Sequence, residues 1–155
     1  MKTVKILCLY IFLTTFFTNA MAQGGDDEKA IQEVIKVFQN SISNKDKDSF
    51  SKLFVDNPIS WVGNGSLGER YGNPTGFMNM IASSSEKLRE DFHNITVWHD
   101  HLIAVVSFDY GFFANDMLTN WGKESWMLIK KGGKWKITSL NFSIILPHQQ
   151  DYPFD

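Results

Sequence analysis

The sequence predicts an α+β fold in which helices come first and a long antiparallel sheet follows. Apolar residues at helical spacing occupy the first part of the chain. The last third contains two long predicted strands, 121–129 and 134–146, joined by the tight turn Lys131-Gly132-Gly133. Short turns also connect the strands before them, and this is typical of an antiparallel meander.

Residues 1–22 are predicted to be a secretory signal peptide. Lys2 and Lys5 precede an apolar run at 6–17, and Ala20-Met21-Ala22 offers the small residues of a cleavage site. A retained membrane anchor is the alternative, but the apolar run is shorter than the ~20 residues of a membrane span. We therefore expect cleavage after Ala22, no stable membrane anchor, and a secreted or periplasmic chain.

Composition narrows the possible functions. The single cysteine, Cys8, lies in the predicted signal peptide, so the mature chain is expected to lack disulfides and thiol chemistry. The chain has 15 basic and 17 acidic residues and no basic stripe, so nucleic acid is not an expected partner. Aromatic residues make up 14% of the chain. This is more than a small core needs, so some aromatic residues are expected to line a cavity or an oligomer interface.

Three helices are predicted. After a polar leader at 23–27, apolar residues recur at helical spacing over 28–43, and Asp26 or Asp27 can cap this helix. A short second helix is predicted at 49–54, after a polar break. A third is predicted at 77–82, behind Pro74-Thr75-Gly76.

The strands follow from short apolar runs between turn signals. The first is predicted at 59–62, and the glycines after it lack the spacing of a phosphate-binding loop, so they predict a flexible loop. In the later strands apolar residues occupy both alternating sets of positions, so that both faces of each strand carry them. Both sheet faces are therefore expected to be covered. A packed or frayed tail is expected at 147–155. The later strands are predicted at 92–98, 102–113, 121–129 and 134–146.

This order of elements resembles the nuclear transport factor 2-like (NTF2-like) superfamily, and within it the secreted bacterial SnoaL-like or DUF4440-type proteins. The segments that carry the resemblance are 124–129, Glu-Ser-Trp-Met-Leu-Ile, and 132–143, which begins Gly-Gly-Lys-Trp-Lys-Ile. The resemblance covers 28–146 and implies a cone-shaped domain, a curved sheet wrapped around about three helices, a pocket between them, and a homodimer. The superfamily includes isomerases, dehydratases, cyclases, hydrolases and non-catalytic modules, so the resemblance implies no single activity.

A bent sheet that closes on helices leaves a space at its open end, which side chains or a ligand must fill. Glu124 is expected either to form an ion pair with Lys123, Arg70 or Lys136 or to orient a polar group of a ligand. Asn141 is expected to hydrogen-bond either a ligand or a neighbouring strand. The large side chains expected to fill or line the space are Phe54, Trp61, Tyr71, Phe77, Tyr110 and Trp126.

Asp109 is the candidate general base. It interrupts an otherwise apolar strand, and in a cavity its carboxyl would have a raised pKa and could transfer protons. Alternation places Asp109 on the face of Ser107, opposite Phe108 and Tyr110, so it could equally point to solvent or to an interface.

His99-Asp100-His101 puts two imidazoles on one strand face, but two ligands do not make a metal site, and a hairpin tip explains the triplet better. No cofactor or metal is implied. The leading hypothesis is a domain that binds a small, partly apolar molecule. The alternatives are an isomerase or dehydratase that uses Asp109, and a dimerisation or assembly module without a ligand.

Overall fold

The computed structural model describes residues 25–58 and 60–154. The predicted signal peptide, Gln23, Gly24, Ile59 and Asp155 lie outside these described residues. Within the described ranges, no helix combines the length and the apolar character needed to cross a membrane.

Three helices pack against one face of the sheet. Helix α1 runs through 25–44 and buries the apolar positions that its helical spacing predicts. Helix α2 covers Lys47–Ser51, and the Asp46 carboxylate caps it by accepting from the Ser49 amide at 3.0 Å. Helix α3 covers Pro74–Ser83 and is capped in the same way by Asn73.

The second helix begins and ends earlier than predicted. The end of the predicted helix and the residue after it instead form hydrogen bonds with Ile137, which lies far along the chain. The Ile137 amide donates to the Leu53 carbonyl at 2.8 Å, and the Val55 amide donates to the Ile137 carbonyl at 3.1 Å. These long-range hydrogen bonds compete with a further helical turn, and the helix therefore stops at Ser51.

Six strands form one curved, open sheet in the order β2-β1-β6-β5-β4-β3. The last four strands make the predicted antiparallel meander. Strand β1 pairs with β6 in parallel and with β2 in antiparallel fashion. The strands are β1 (Ser60–Gly65), β2 (Gly68–Tyr71), β3 (Leu88–His99), β4 (Ile103–Ala114), β5 (Met117–Lys131) and β6 (Lys134–Ile144).

The flexible glycine loop predicted after the first strand is wrong, because this segment forms the β1–β2 hairpin. A β-carbon at Gly63 would lie 2.6 Å from the Phe142 ring, and one at Gly65 would lie 2.7 Å from the Ile144 carbonyl oxygen. Gly68 has a φ of 88°, which a turn residue with a side chain adopts only with strain. These glycines therefore allow close strand packing and a tight turn.

Three register irregularities bend the sheet around the helices. They lie between His93 and Thr96, between Phe112 and Phe113, and between Met127 and Leu128. An extra or displaced residue increases the local twist of a strand, and three such points in neighbouring ladders produce a concave inner face.

An aromatic cluster fills the space between the helices and the inner face. The Phe38 ring lies 4.6 Å from that of Trp126 and 4.8 Å from that of Phe50, measured between ring centroids. Burial of each such side chain contributes about 1.5–3 kcal/mol. This cluster therefore accounts for much of the driving force that holds α1 and α2 on the sheet.

The outer face is covered at only one end, so the prediction of two covered faces is correct only in part. The C-terminal segment 147–154 packs there. The Tyr152 hydroxyl lies 3.0 Å from His93 Nε2, and Phe154 stacks on His93 with a centroid distance of 4.2 Å. At the other end an apolar patch remains exposed. It consists of Trp98, Ile103, Met127 and Ile129.

Strand β6 approaches the backbone of β5 closely at Gly122. A methyl group there would overlap the carbonyl oxygen of Ser143, which is main chain and cannot rotate away. We expect Gly122→Ala to lower the free energy of unfolding by about 1–3 kcal/mol, measured by urea denaturation.

The matched control is Gly76→Ala, in helix α3, where a β-carbon would meet only ordinary contacts, the nearest at 3.5 Å. Helix propensity predicts that this change raises stability by roughly 0.5–1 kcal/mol. Equal effects of the two substitutions would contradict the close approach of β6 to β5.

Candidate functional site

A cavity of about 300 Å³ lies between the inner sheet face and helices α1 and α3. Its walls are mainly apolar, whereas two acidic side chains, Glu90 and Glu124, also face it. Arg70 and Met80 lie exposed at its edge. The main apolar lining residues are Phe38, Trp61, Phe77, Phe112, Leu140, Phe142 and Ile144.

Strand alternation places three polar side chains of the site on the same inner face. In the β3–β4 ladder Glu90 pairs with Phe112, and in the β4–β5 ladder Glu124 pairs with Phe108. Tyr110 lies between these two positions on β4. Each carboxyl group is therefore one diagonal step from the Tyr110 side chain, on opposite flanking strands.

Glu124 is 6% exposed and accepts a hydrogen bond of 2.5 Å from the Trp126 indole nitrogen. Burial raises the pKa of its carboxyl to about 8, against the opposing effect of the Trp126 hydrogen bond. Glu90 is 7% exposed. Burial, followed by the charge of Glu124, raises the pKa of Glu90 well above its usual value. Near neutral pH, the pair therefore retains protons that exposed glutamates would lose.

The hydroxyl of Tyr110 hydrogen-bonds to two oxygen atoms of neighbouring residues. It lies 2.8 Å from the Asn120 side-chain oxygen and 2.8 Å from the Ser143 carbonyl, and these two acceptors share its one proton. Burial raises the Tyr110 pKa, and the negative charges of Glu90 and Glu124 raise it further. Tyr110 is therefore a neutral phenol whose donor is already occupied.

The other buried acids are paired with lysines. Asp27 lies 2.5 Å from Lys130, and the hydrogen bond from that ammonium lowers the Asp27 pKa. Asp109 lies 2.6 Å from Lys123. Within residues 25–58 and 60–154, neither Glu90 nor Glu124 forms a salt bridge.

The predicted ion pair of Glu124 is therefore not formed in the described part of the chain. Lys123 is its neighbour on β5, but alternation sends that side chain to the outer face, where it meets Asp109. The alternative prediction, Glu124 in the pocket, is what the geometry shows.

Asp109 does not line the cavity. The prediction that Asp109 is a general base in the cavity therefore does not hold. It lies on the outer face, where it accepts from Lys123 and, at 2.8 Å, from the Asn94 amide. Burial would raise the Asp109 pKa, but these hydrogen bonds and the Lys123 charge outweigh burial and lower it. Successive side chains of a strand point to opposite faces. Because Phe108 and Tyr110 point to the inner face, Asp109 between them points to the outer face.

Of the predicted pocket residues, Trp61, Phe77, Tyr110 and Glu124 line the cavity. Trp126 lies behind Glu124 in the core, where its indole ring is fully buried.

Three other predicted pocket residues lie elsewhere. Phe54 faces a separate depression beside α2 and α3. Tyr71 is 76% exposed on the edge strand β2, where its hydroxyl donates to Glu69. Asn141 points to the outer face and accepts from Ser60 at 2.9 Å, because its neighbours Leu140 and Phe142 take the inner face.

Glu90 is the acidic site residue that sequence reasoning missed. The predicted strand began at residue 92, since Arg89, Glu90 and Asp91 form a charged run of the kind that loops carry. The observed β3 begins at Leu88. The alternation of Leu88, Glu90 and Phe92 was the available signal for an inward-facing glutamate.

The histidines form no metal site in the described part of the chain, where no group of three His, Cys, Asp or Glu side chains is placed to hold an ion. His99 ends β3 and lies 3.3 Å from Glu28. Asp100 closes the hairpin turn by accepting from the Leu102 and Ile103 amides, in agreement with the hairpin interpretation.

The raised pKa of Glu124 predicts a specific dependence of stability on pH. The folded state holds this proton more tightly than the unfolded state does. The resulting stabilisation is complete below the unfolded pKa of ~4.3 and is lost as the pH rises toward about 8. The stability of Glu124→Gln relative to the wild type should therefore rise by roughly 3–4 kcal/mol between pH 5 and pH 8.

Urea denaturation of both proteins at the two pH values measures this difference. The control is Asp109→Asn, whose effect should be the same at both pH values, because the Asp109 pKa is lowered and lies outside this range. A Glu124→Gln effect that does not change with pH would show that the carboxyl is ionised throughout.

No protein-family model matches the sequence, and no curated protein matches it. Solved structures do resemble it. An NTF2-like superfamily protein from Salmonella enterica serovar Typhimurium is 18% identical with a TM-score of 0.63, covering 84% of this chain and 99% of its own. An NTF2-like protein with a cystatin-like fold from Novosphingobium aromaticivorans is 12% identical with a TM-score of 0.66, covering 82% and 87%.

A third similar structure, from Streptomyces avermitilis, is named as a candidate dehydratase of the NTF2-like family. It is 12% identical, has a TM-score of 0.62, and covers 79% of this chain and 99% of its own. At these identities the likeness concerns the path of the chain, and it agrees with the curved sheet and N-terminal helices described above. The chain therefore has the NTF2-like fold.

Proposed function

We propose that this chain binds a small, partly apolar molecule in the cavity between the sheet and the helices. The observation that carries the proposal is a cavity of about 300 Å³ with apolar walls onto which two buried carboxyl groups converge. A concave apolar space with a few convergent polar groups is the usual form of a small-molecule site. Because residues 1–22 are predicted to be a signal peptide, the proposed setting of this activity is secreted or periplasmic.

The energetic cost of the two carboxyl groups supports a role in binding. A buried acid without a cation costs stability, and an apolar side chain of similar size would avoid that cost. Glu90 and Glu124 both occupy such positions, although the neighbouring core is aromatic. A ligand that meets these groups with complementary hydrogen bonds would offset part of the cost.

Acid–base catalysis is the second candidate function, and the same carboxyl pair favours it. Loss of water from a substrate requires a base that removes a proton from carbon and an acid that protonates the leaving hydroxyl. Of the two carboxyl groups that face the cavity, one in its ionised form can serve as the base and one in its protonated form as the acid. The similar structure named as a candidate dehydratase gives this reaction class some support. Asp109, on the outer face, has no part in it.

We also propose that the chain forms a homodimer through the apolar patch of Trp98, Ile103, Met127 and Ile129. Trp98 is 61% exposed and Met127 is 42% exposed, on strands β3 and β5, which flank β4 on the uncovered sheet face. A second copy can cover this patch about a two-fold axis perpendicular to the sheet, so that each patch buries the other.

Filling the cavity should abolish ligand binding. Leu146 lines the cavity from the segment after β6 and is partly exposed, so Leu146→Trp can occupy the space without disrupting the core. Native mass spectrometry of protein purified gently from its own compartment should show a bound small-molecule mass. That mass should be missing in Leu146→Trp and retained in Leu102→Trp, a matched change in the exposed β3–β4 turn. A wild-type chain without any bound mass would contradict the proposal.

A charge in the apolar patch should prevent dimerisation. Met127→Lys places an ammonium where the partner's apolar surface would lie, and light scattering should then report a monomer. Met117→Lys, a matched change at the β4–β5 turn outside the patch, should leave the dimer intact. If the wild type is itself a monomer at micromolar concentration, this interface is excluded.

A further inference from the structure

The buried acids of this chain divide into two groups. In the described residues four acidic side chains are buried: Asp27, Glu90, Asp109 and Glu124. Two of them, Asp27 and Asp109, are neutralised by lysines at 2.5 and 2.6 Å. The other two face the cavity and form no salt bridge to a described residue. Among the described residues, neither of these two carboxyl groups therefore has a cation beside it as Asp27 and Asp109 do.

The two buried hydrogen-bond donors next to the pair are already in use. The Trp126 indole donates to Glu124, and the Tyr110 hydroxyl donates to Asn120 and Ser143. Arg70, Thr119 and Asn120 also line the cavity, but its acidic groups are the carboxyls of Glu90 and Glu124, which accept hydrogen bonds when ionised. A ligand with donors and positive charge therefore fits this site better than one with only acceptors.

The remaining walls also suit an organic cation. Aromatic rings surround the cavity, with Trp61 and Phe77 5.2 Å apart and Tyr110 and Phe142 6.2 Å apart between centroids. The faces of such rings attract cations and also pack against apolar groups. The cavity thus combines two acidic side chains with aromatic walls.

We infer that the ligand carries a protonated amine that binds between Glu90 and Glu124, with an apolar part against the aromatic walls. This inference rests on the function proposed above and adds the chemical class of the ligand. Among the described residues, Arg70 is the one basic residue at the cavity, and it lies exposed on the edge strand β2, away from salt-bridge contact with the pair.

Amine affinity should depend on pH. The titratable or charged groups that face the pair are Tyr110 from β4 and Arg70 from β2. The cavity residues contributed by α1, α3 and β6 are uncharged. Amine binding favours ionised carboxylates, so affinity should rise between pH 6 and pH 8 as Glu124 loses its proton. A neutral ligand should not show this rise.

The test compares two matched pairs of probes, 2-phenylethylamine with 2-phenylethanol and cyclohexylamine with cyclohexanol, by calorimetry on the wild-type chain. At pH 8 the amines should bind about 10- to 100-fold more tightly than the alcohols, as expected for hydrogen bonds to charged groups. Glu124→Gln should lose most of this advantage, whereas Asp109→Asn, a buried carboxyl removed from the other sheet face, should retain it. If Glu124→Gln does not fold, Glu90→Gln provides the same comparison.

The outcomes separate this inference from the function on which it rests. Alcohols that bind as tightly as the amines would overturn the amine inference while leaving the cavity as a binding site. Absence of binding by all four probes would count against both. Amine binding that Asp109→Asn abolishes and Glu124→Gln retains would place the cation on the outer face and overturn the inference.

Discussion

The Trp126 indole joins the core of this protein to its candidate site. Its ring is fully buried and lies 4.6 Å from Phe38 and 5.0 Å from Phe108 between centroids, so it holds α1 against the middle of the sheet. The same side chain donates its N–H to Glu124 at 2.5 Å. A buried indole without an acceptor would cost about 1–3 kcal/mol, so the aromatic core itself calls for an acceptor at this position. A carboxyl group held there is removed from water, and this raises its pKa.

The two faces of one strand carry opposite electrostatic arrangements. On β4, Asp109 points outward to Lys123, whereas Tyr110 points inward, between Glu90 and Glu124. The outer carboxylate is neutralised by a cation, and its pKa is lowered. The inner carboxyl groups lack a cation among the described residues, and burial raises their pKa. The unpaired carboxyl groups of the described residues thus lie on the inner face, and an ion pair lies on the outer face.

The parts of the fold that local patterns determine were predictable from the sequence. Helical spacing placed α1, and the Gly132-Gly133 turn defined the β5–β6 hairpin. The parallel pairing of β1 with β6 was not predictable, because it joins residues far apart in the chain and leaves no local signal. Strand β2 was hidden by its glycine-rich surroundings, and the first residues of β3 by their charges. Aromatic and acidic residues of the site could be proposed from the sequence. Only the observed strand bounds and register show that Glu90 and Glu124 face inward whereas Asp109 faces outward.

The two inward-facing carboxyl groups are expected to retain a proton near neutral pH, in a cavity that is open to a ligand. Carbon-detected NMR of the glutamate side chains, titrated from pH 3 to pH 9, tests it directly, with Glu90→Gln and Glu124→Gln used to assign the two signals. The titration midpoints of both carboxyl groups should lie well above the usual range for glutamate, with that of Glu124 near pH 8. Titration of both groups between pH 4 and pH 5, together with the exposed glutamates, would contradict it.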